Sequence, residues 1–246
     1  MLPDKKQVEI LLMHYFRKCY MAFPKGKLVP SESPDFILKV NTKKGIGIEL
    51  TRLNPLHTYM PDKIQTDRHY MRERIINSVK SLFAQTSTLK LFVKFQFSYN
   101  IPIEEERELS VVARVVNKIR QAVQLKKASD FYYLKLNRRI LPAGIESILI
   151  INHPALEIDI WEHCNNQGFS EDIVGEVHEA IRKKEEKLRL YYSRGLNSYW
   201  LIIVTESLSG FKNYNTYDRI MSYDFASRFQ NVFLFDLIRS NVLHIV

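Results

Sequence analysis

The sequence predicts an α/β protein in which helices pack against a mixed β-sheet. An amphipathic helical stretch opens the chain, two short β-like runs follow it, and a continuous apolar run over 199–205 comes after a later helix. This order of helices and strands favours a layered α/β domain over a helix bundle or a β-sandwich. We interpret the whole chain, 1–246, as a single α/β domain.

The first predicted elements are a helix and a strand pair. Between residues 5 and 22, apolar side chains recur at three- and four-residue spacings, the pattern of one buried helical face: Val8, Leu11, Leu12, Tyr15, Phe16 and Cys19. After a stretch with Pro and Gly, residues 35–40 and 45–51 are typical of two strands joined by a turn. Side chains alternate between the faces of a strand, so Glu49 lies on the face opposite to Leu50.

The middle and last thirds of the chain predict further alternation. A basic helix is expected over 62–84, a strand over 89–97, and a helix over 104–125 whose acidic first turn suits the positive end of its dipole. Residues 130–163 alternate strand-like stretches. A helix is then expected over 170–192, capped by Ser170, and short apolar runs over 199–205 and 231–236 are typical of buried strands.

Composition and charge restrict the functional class. Hydrophobic residues make up 46% of the 246 residues, which is enough for a large core, and 36 Lys plus Arg against 27 Asp plus Glu give a net charge of +9. This charge favours a polyanionic partner such as nucleic acid. The two distant cysteines predict no disulfide framework or structural zinc site. Without a secretory signal or an apolar stretch of membrane-spanning length, we expect a cytoplasmic protein without a membrane partner.

Two carboxylates lie close together on the predicted strand pair. Asp35 follows Pro34 at the start of the first strand, and Glu49 precedes Leu50 and Thr51 near the end of the second. Carboxylate oxygens, with an intervening backbone carbonyl, are the ligands that a hard divalent cation requires. On these residues the sequence resembles the PD-(D/E)xK nuclease superfamily, whose core is a helix, a strand pair with Asp and Glu, a second helix and a further strand.

The resemblance implies a restriction-endonuclease-like core over about 5–52 and 170–236, with a central mixed β-sheet flanked by helices. Residues 53–169 would then form a large α/β insertion. It also implies that Asp35 and Glu49 bind Mg²⁺ or Mn²⁺ and that the ion activates a water for phosphodiester hydrolysis. An acidic residue on the first helix can complete the metal site in this superfamily, and Glu9 is the candidate here.

The sequence departs from the superfamily pattern at Thr51, where the usual lysine two residues after the Glu is missing. In some branches the following helix supplies the amino group. Here Lys184, Lys187 and Tyr191 are spaced by three and four residues, which places them on one face of a continuous helix. The resemblance therefore implies Lys184 and Lys187 as catalytic residues that offset charge on the phosphorus or orient the nucleophile.

The basic helix over 62–84 and Tyr191 are the predicted nucleic-acid-binding elements. Arg68, Arg72 and Lys80 are expected to face water and to contact backbone phosphates, which gives affinity without sequence readout. DNA is the first expectation for the partner. The oligomeric state is open, with a homodimer among the alternatives.

Three functions stay open on the sequence alone. The first is a metal-dependent nuclease that hydrolyses DNA or another nucleic acid; the second is a non-catalytic nucleic-acid-binding module that keeps the nuclease fold; the third is a protein-interaction module. The seven histidines show no metal-ligand spacing, so no zinc chemistry is expected. Residues 45–47 lack the third glycine of a dinucleotide loop, and residues 206–210 are not a nucleophile elbow.

Overall fold

The computed structural model describes residues 3–53, 63–164, 172–206 and 216–246. Over these residues the protein is α/β, with mixed β-sheets flanked by helices, which confirms the predicted class. The chain divides into two units: unit 1 is Met1–Leu11 with Thr58–Gln167, and unit 2 is Leu12–His57 with Gly168–Val246. Among the described residues, we find no helix whose length and hydropathy would let it cross a bilayer.

The helices and strands follow one another through both units. In chain order they are α1 (Pro3–Cys19), β1 (Lys27–Pro30), β2 (Phe36–Lys39), β3 (Gly45–Arg52), α2 (Lys63–Ala84), β4 (Leu91–Phe97), α3 (Glu108–Val123), β5 (Tyr132–Asn137), β6 (Ile145–Asn152), β7 (Ile160–His163), α4 (Ile173–Glu185), α5 (Leu188–Tyr192), β8 (Ser198–Thr205), α6 (Thr216–Met221), β9 (Asn231–Asp236) and β10 (Asn241–His244). A short 3-10 helix, Glu105–Arg107, precedes α3.

Unit 2 contains a six-stranded sheet in the order β1-β2-β3-β8-β9-β10. The central strands β3, β8 and β9 run parallel, and the outer pairs are antiparallel. On one face, Phe16 of α1 packs edge-on against Phe233 and Phe235 of β9. On the opposite face, buried side chains of α4 and α5 pack against Leu201 and Ile203 of β8; they are Val177, Ile181 and Leu188. Helices on both faces explain why β8 is apolar along nearly its whole length.

Unit 1 contains a four-stranded sheet in the order β5-β6-β4-β7. Its pairs are antiparallel except that β4 and β7 are parallel. Helices α2 and α3 bury their apolar stripes in one core with β4 and β6, through residues such as Ile76, Val79, Val115, Val93 and Ile148. The three- and four-residue spacing of these side chains on α2 and α3 is what the sequence pattern predicts.

One predicted helix differs from the structure. The continuous helix expected over 170–192 is two helices, α4 and α5, separated by a turn at Glu186 and Lys187. The side chain of Asp172 caps α4 by accepting a hydrogen bond from the Gly175 N–H, whereas the predicted cap, Ser170, lies outside the described residues. Periodicity did not reveal the break because Ile181 and Leu188 stay buried on both sides of it.

Candidate functional site

Strands β2 and β3 place Asp35 next to Glu49. Their register pairs Phe36 with Ile48, so Asp35 lies one position further along, opposite Glu49. Oδ2 of Asp35 accepts a hydrogen bond of 2.7 Å from the N–H of Leu50. Glu49 is buried, on the strand face that the alternation predicts. Two carboxylates are therefore held at neighbouring positions by backbone register and one backbone hydrogen bond.

Helix α4 brings the Lys184 ammonium to Glu49. Its Nζ lies 2.6 Å from Oε1 of Glu49 and 3.2 Å from the carbonyl oxygen of Leu50. The exposed fractions of the side chains are 19% for Lys184 and 4% for Glu49. Lys184 follows the buried Ile181 by three residues, so its stem lies on the helix face that packs against the sheet. A buried carboxylate is costly without a compensating charge, and Lys184 supplies that charge.

Tyr191 is the fourth polar member of this group. Its side chain is 2% exposed and its hydroxyl donates a hydrogen bond to Glu49. Burial raises the pKa of Tyr191 above the ordinary tyrosine value, and the negative charges of Glu49 and Asp35 raise this pKa further. The Tyr199 hydroxyl donates to the Tyr191 backbone carbonyl at 2.6 Å. Tyr191 therefore stays protonated and orients Glu49 from a buried position rather than from a surface that would face nucleic acid.

Asp35, Glu49 and the Leu50 carbonyl suit a hard divalent cation. The oxygens of Glu49 and Leu50 each accept a hydrogen bond from a cation, the Lys184 ammonium, and the Asp35 carboxylate accepts one from the Leu50 amide. Carboxylate and carbonyl oxygens are the preferred ligands of Mg²⁺ and Mn²⁺. These three residues fit the metal that the superfamily resemblance implies.

The other predicted catalytic and metal residues are placed differently. Lys187 is exposed and lies in the turn between α4 and α5, so it does not share one helix face with Lys184. Glu9 belongs to the part of α1 in unit 1, where Lys5 and Lys6 each lie 3.6 Å from its carboxylate. Its role as a metal ligand stays a prediction.

The basic residues predicted to face water on α2 form hydrogen bonds within unit 1. Each is half-buried and donates a hydrogen bond to a backbone carbonyl: Arg68 to Tyr99 (3.1 Å), Arg72 to Ser98 (3.2 Å) and Lys80 to Asp159 (3.4 Å). The Arg72 guanidinium also lies 5.4 Å from the centroid of the Phe97 ring. Burial lowers the pKa of Arg72 to about 10, and the charge of Arg68 adds to this. Long basic side chains can lie along a protein surface and donate hydrogen bonds to its carbonyls, and the phosphate contacts of these three residues stay a prediction.

Unit 1 contains a second polar cluster that the sequence patterns missed. His69 and Glu73 on α2 meet His163 at the end of β7, and one potential ligand atom from each lies within 4.8 Å of the others. Nε2 of His163 lies 3.0 Å from Oε1 of Glu73, and the two histidine rings are 5.0 Å apart. Burial lowers the pKa of His163. The spacing between histidines could not reveal this cluster, because its signal in the sequence is a His and a Glu four residues apart on α2.

Comparisons of the chain with protein families, with curated proteins and with solved structures found no match. The candidate functional site is therefore defined by its own geometry. In unit 2 it consists of two carboxylates, a lysine and a buried tyrosine: Asp35, Glu49, Lys184 and Tyr191.

Proposed function

We propose that this protein is a metal-dependent nuclease of PD-(D/E)xK type, with a restriction-endonuclease-like core, that hydrolyses phosphodiester bonds of nucleic acid, DNA first. The observation that carries the proposal is the contact between Lys184 and Glu49. A lysine of the following helix reaches the Glu of the strand pair at 2.6 Å, although the position two residues after that Glu is Thr51. The net charge of +9 supports a polyanionic substrate.

Each residue of the group has a defined chemical role in this proposal. Asp35, Glu49 and the Leu50 carbonyl would hold Mg²⁺ or Mn²⁺. When bound there, such an ion would supply a lowered pKa for a coordinated water and charge compensation for the phosphoryl oxygens. Lys184 would donate a hydrogen bond to the attacking water or to a phosphoryl oxygen from its position beside Glu49. Tyr191, through its hydrogen bond, keeps the Glu49 carboxylate oriented.

The same contact also favours a second candidate function, a nucleic-acid-binding module without turnover. The Lys184 ammonium neutralises Glu49 in this conformation and so competes with a metal ion for the same oxygens. If no ion displaces it, the fold and the positive charge would serve binding alone. The two candidates differ in whether Asp35 and Glu49 bind a divalent ion.

The first test is cleavage of labelled single- and double-stranded DNA and RNA by the full chain in Mg²⁺ or Mn²⁺. We expect Asp35→Asn and Glu49→Gln each to lower the cleavage rate at least about 10²-fold, because each removes a charged metal ligand. Glu32→Gln is the matched control, because Glu32 is an exposed carboxylate three residues before Asp35. Unchanged cleavage in both site variants would contradict the proposal.

Calorimetric titration with Mn²⁺ separates the two candidates. Saturable binding by the wild type that is lost in Glu49→Gln supports the metal-dependent enzyme. Nucleic-acid binding that weakens with salt, without Mn²⁺ binding or cleavage even when nucleic acid is present, favours the binding module. Absence of both nucleic-acid binding and cleavage would contradict both candidates and leave the protein-interaction alternative.

A further inference from the structure

We propose that unit 1 holds a second metal site, in which His69, Glu73 and His163 bind a divalent transition-metal ion of the Zn²⁺ type. The site is separate from the carboxylate group of unit 2 in its residues and in its chemistry. It does not depend on the proposed nuclease activity.

The backbone places the three side chains together without any adjustment of the fold. His69 and Glu73 are four residues apart on α2, which puts them on the same helix face. His163 is the last residue of β7 and pairs with Phe95 of β4. The potential ligand atoms lie within 4.8 Å of one another. Ligand atoms of a tetrahedral zinc site are about 3.4 Å apart, given bond lengths of about 2.1 Å, so each pair of ligand atoms would have to approach by no more than about 1.4 Å.

The hydrogen bond of His163 Nδ1 leaves its Nε2 directed into the cluster. Its Nδ1 lies 3.0 Å from the backbone carbonyl of Cys164, which accepts a hydrogen bond when Nδ1 carries the proton. Nε2 is then an acceptor, and it lies 3.0 Å from a second acceptor, the Glu73 carboxylate. Two acceptors at this distance need a cation between them, a proton or a metal ion. Metal-binding histidines commonly donate their other ring N–H to a backbone carbonyl in this way.

His69 adds a third potential ligand to this position. A shared proton needs only Glu73 and His163, whereas a metal ion would also use the ring of His69, whose potential ligand atom lies within 4.8 Å of the other two. His69 is exposed and His163 is buried. An ion would therefore reach the site from solvent past His69 and bind His163 at its buried end. Two imidazoles and one carboxylate suit Zn²⁺ better than Mg²⁺, and three protein ligands leave one position for water.

The test is a Zn²⁺ titration by calorimetry on the full chain, with any affinity tag removed and residual metal extracted by a chelator. Co²⁺ absorption serves as a second readout, because its visible bands report nitrogen ligands and coordination number. The two variants are His69→Gln and Glu73→Gln, which change partly or fully exposed positions on α2. Exposed residues elsewhere provide matched controls, His244→Gln and Glu106→Gln.

We expect the wild type to bind one equivalent of Zn²⁺ at this site and each of the two variants to bind it there at least about tenfold more weakly. Loss of an outer partner alone typically costs 10–100-fold in metal affinity, so loss of a direct ligand should cost no less. The controls should match the wild type. Circular dichroism of the metal-free variants verifies that they are folded.

Two results would overturn the inference: no Zn²⁺ binding by the wild type, or equal affinity in the wild type and both variants. The Glu49→Gln variant separates this site from the one in unit 2. Zn²⁺ binding that persists in Glu49→Gln supports the site in unit 1, while binding lost in Glu49→Gln and kept in His69→Gln would assign the ion to unit 2. Failure of the nuclease assay leaves this titration unaffected.

Discussion

Each unit contains a lysine–glutamate ion pair on its sheet, but the buried partner differs. In unit 1, Lys94 on β4 has a 1% exposed side chain, and its Nζ lies 3.0 Å from Oε1 of Glu162, whose side chain is 34% exposed. In unit 2 the carboxylate is the buried partner, since Glu49 is 4% exposed and Lys184 is 19% exposed. An uncompensated buried charge is costly, so in both cases the more exposed partner neutralises the buried one.

The surroundings of the two pairs differ more than the pairs themselves. Lys94 and Glu162 occupy paired positions on the parallel strands β4 and β7, so sheet register alone sets their contact. The contact of Lys184 with Glu49 joins a helix to a strand, and a second carboxylate and a buried hydroxyl lie beside it. Sheet register accounts for the pair in unit 1, whereas in unit 2 polar groups converge from several elements, an arrangement in which functional sites are commonly found.

The largest expected effect comes from Lys184→Met. If the pair in unit 2 is catalytic, removing the ammonium should lower the cleavage rate by about 10²–10³-fold, a range typical for loss of one group that stabilises developing charge. The rate is measured per folded protein, after circular dichroism. Lys183→Met is the matched control, because Lys183 is an exposed neighbour that pairs with Glu179 at 3.4 Å. Equal rates in both variants would reduce the Lys184 contact to a structural role.

The next effect is on stability and concerns unit 1. Glu162→Ala removes one carboxylate partner of the buried Lys94 and should lower the free energy of unfolding by about 2 kcal/mol, below the full cost of breaking a buried pair because Glu162 is partly exposed. The double variant Lys94→Met with Glu162→Leu should recover most of this loss. Urea denaturation of the wild type, Glu162→Ala and the double variant measures these free energies of unfolding. A double variant that is less stable than Glu162→Ala would contradict this account.

The smallest expected effect comes from Tyr191→Phe, which removes the hydroxyl beside Glu49. At neutral pH the loss of this hydrogen bond should cost about 1 kcal/mol of unfolding free energy. The pKa of Tyr191 is raised in the folded protein, so the unfolded chain ionises first as the pH increases. The contribution of Tyr191 is therefore complete below pH of about 10 and declines above it.

Denaturation curves between neutral pH and about pH 11 check this sign against the ordinary tyrosine pKa of about 10. The wild type should lose more stability over that range than Tyr191→Phe. Tyr192→Phe, at a neighbouring tyrosine that is 50% exposed, is the control. An identical alkaline loss in the wild type and in both variants would contradict the role given to the Tyr191 hydroxyl.

Local patterns in the sequence predicted much of the fold. The helices α1 and α2 and the strands β3, β4 and β8 lie close to their expected positions, because burial of one face imposes a helical or strand period that can be read residue by residue. The break between α4 and α5 was not predictable in this way, since the apolar spacing continues across it. The hydrogen bonds of the basic side chains on α2 were not predictable either, because the backbone carbonyls that accept them are distant in sequence.

By itself the sequence determined the α/β class, the strand face on which Glu49 lies, and the pairing of Asp35 and Glu49 on neighbouring strands. Only the tertiary structure decided that Lys184 rather than Lys187 reaches Glu49, and that His163 meets His69 and Glu73. The physical reason is the separation along the chain over which each kind of interaction acts. Strand alternation and helix periodicity act between near neighbours in the chain, whereas these contacts join distant segments that only the packing of helices on sheets brings together.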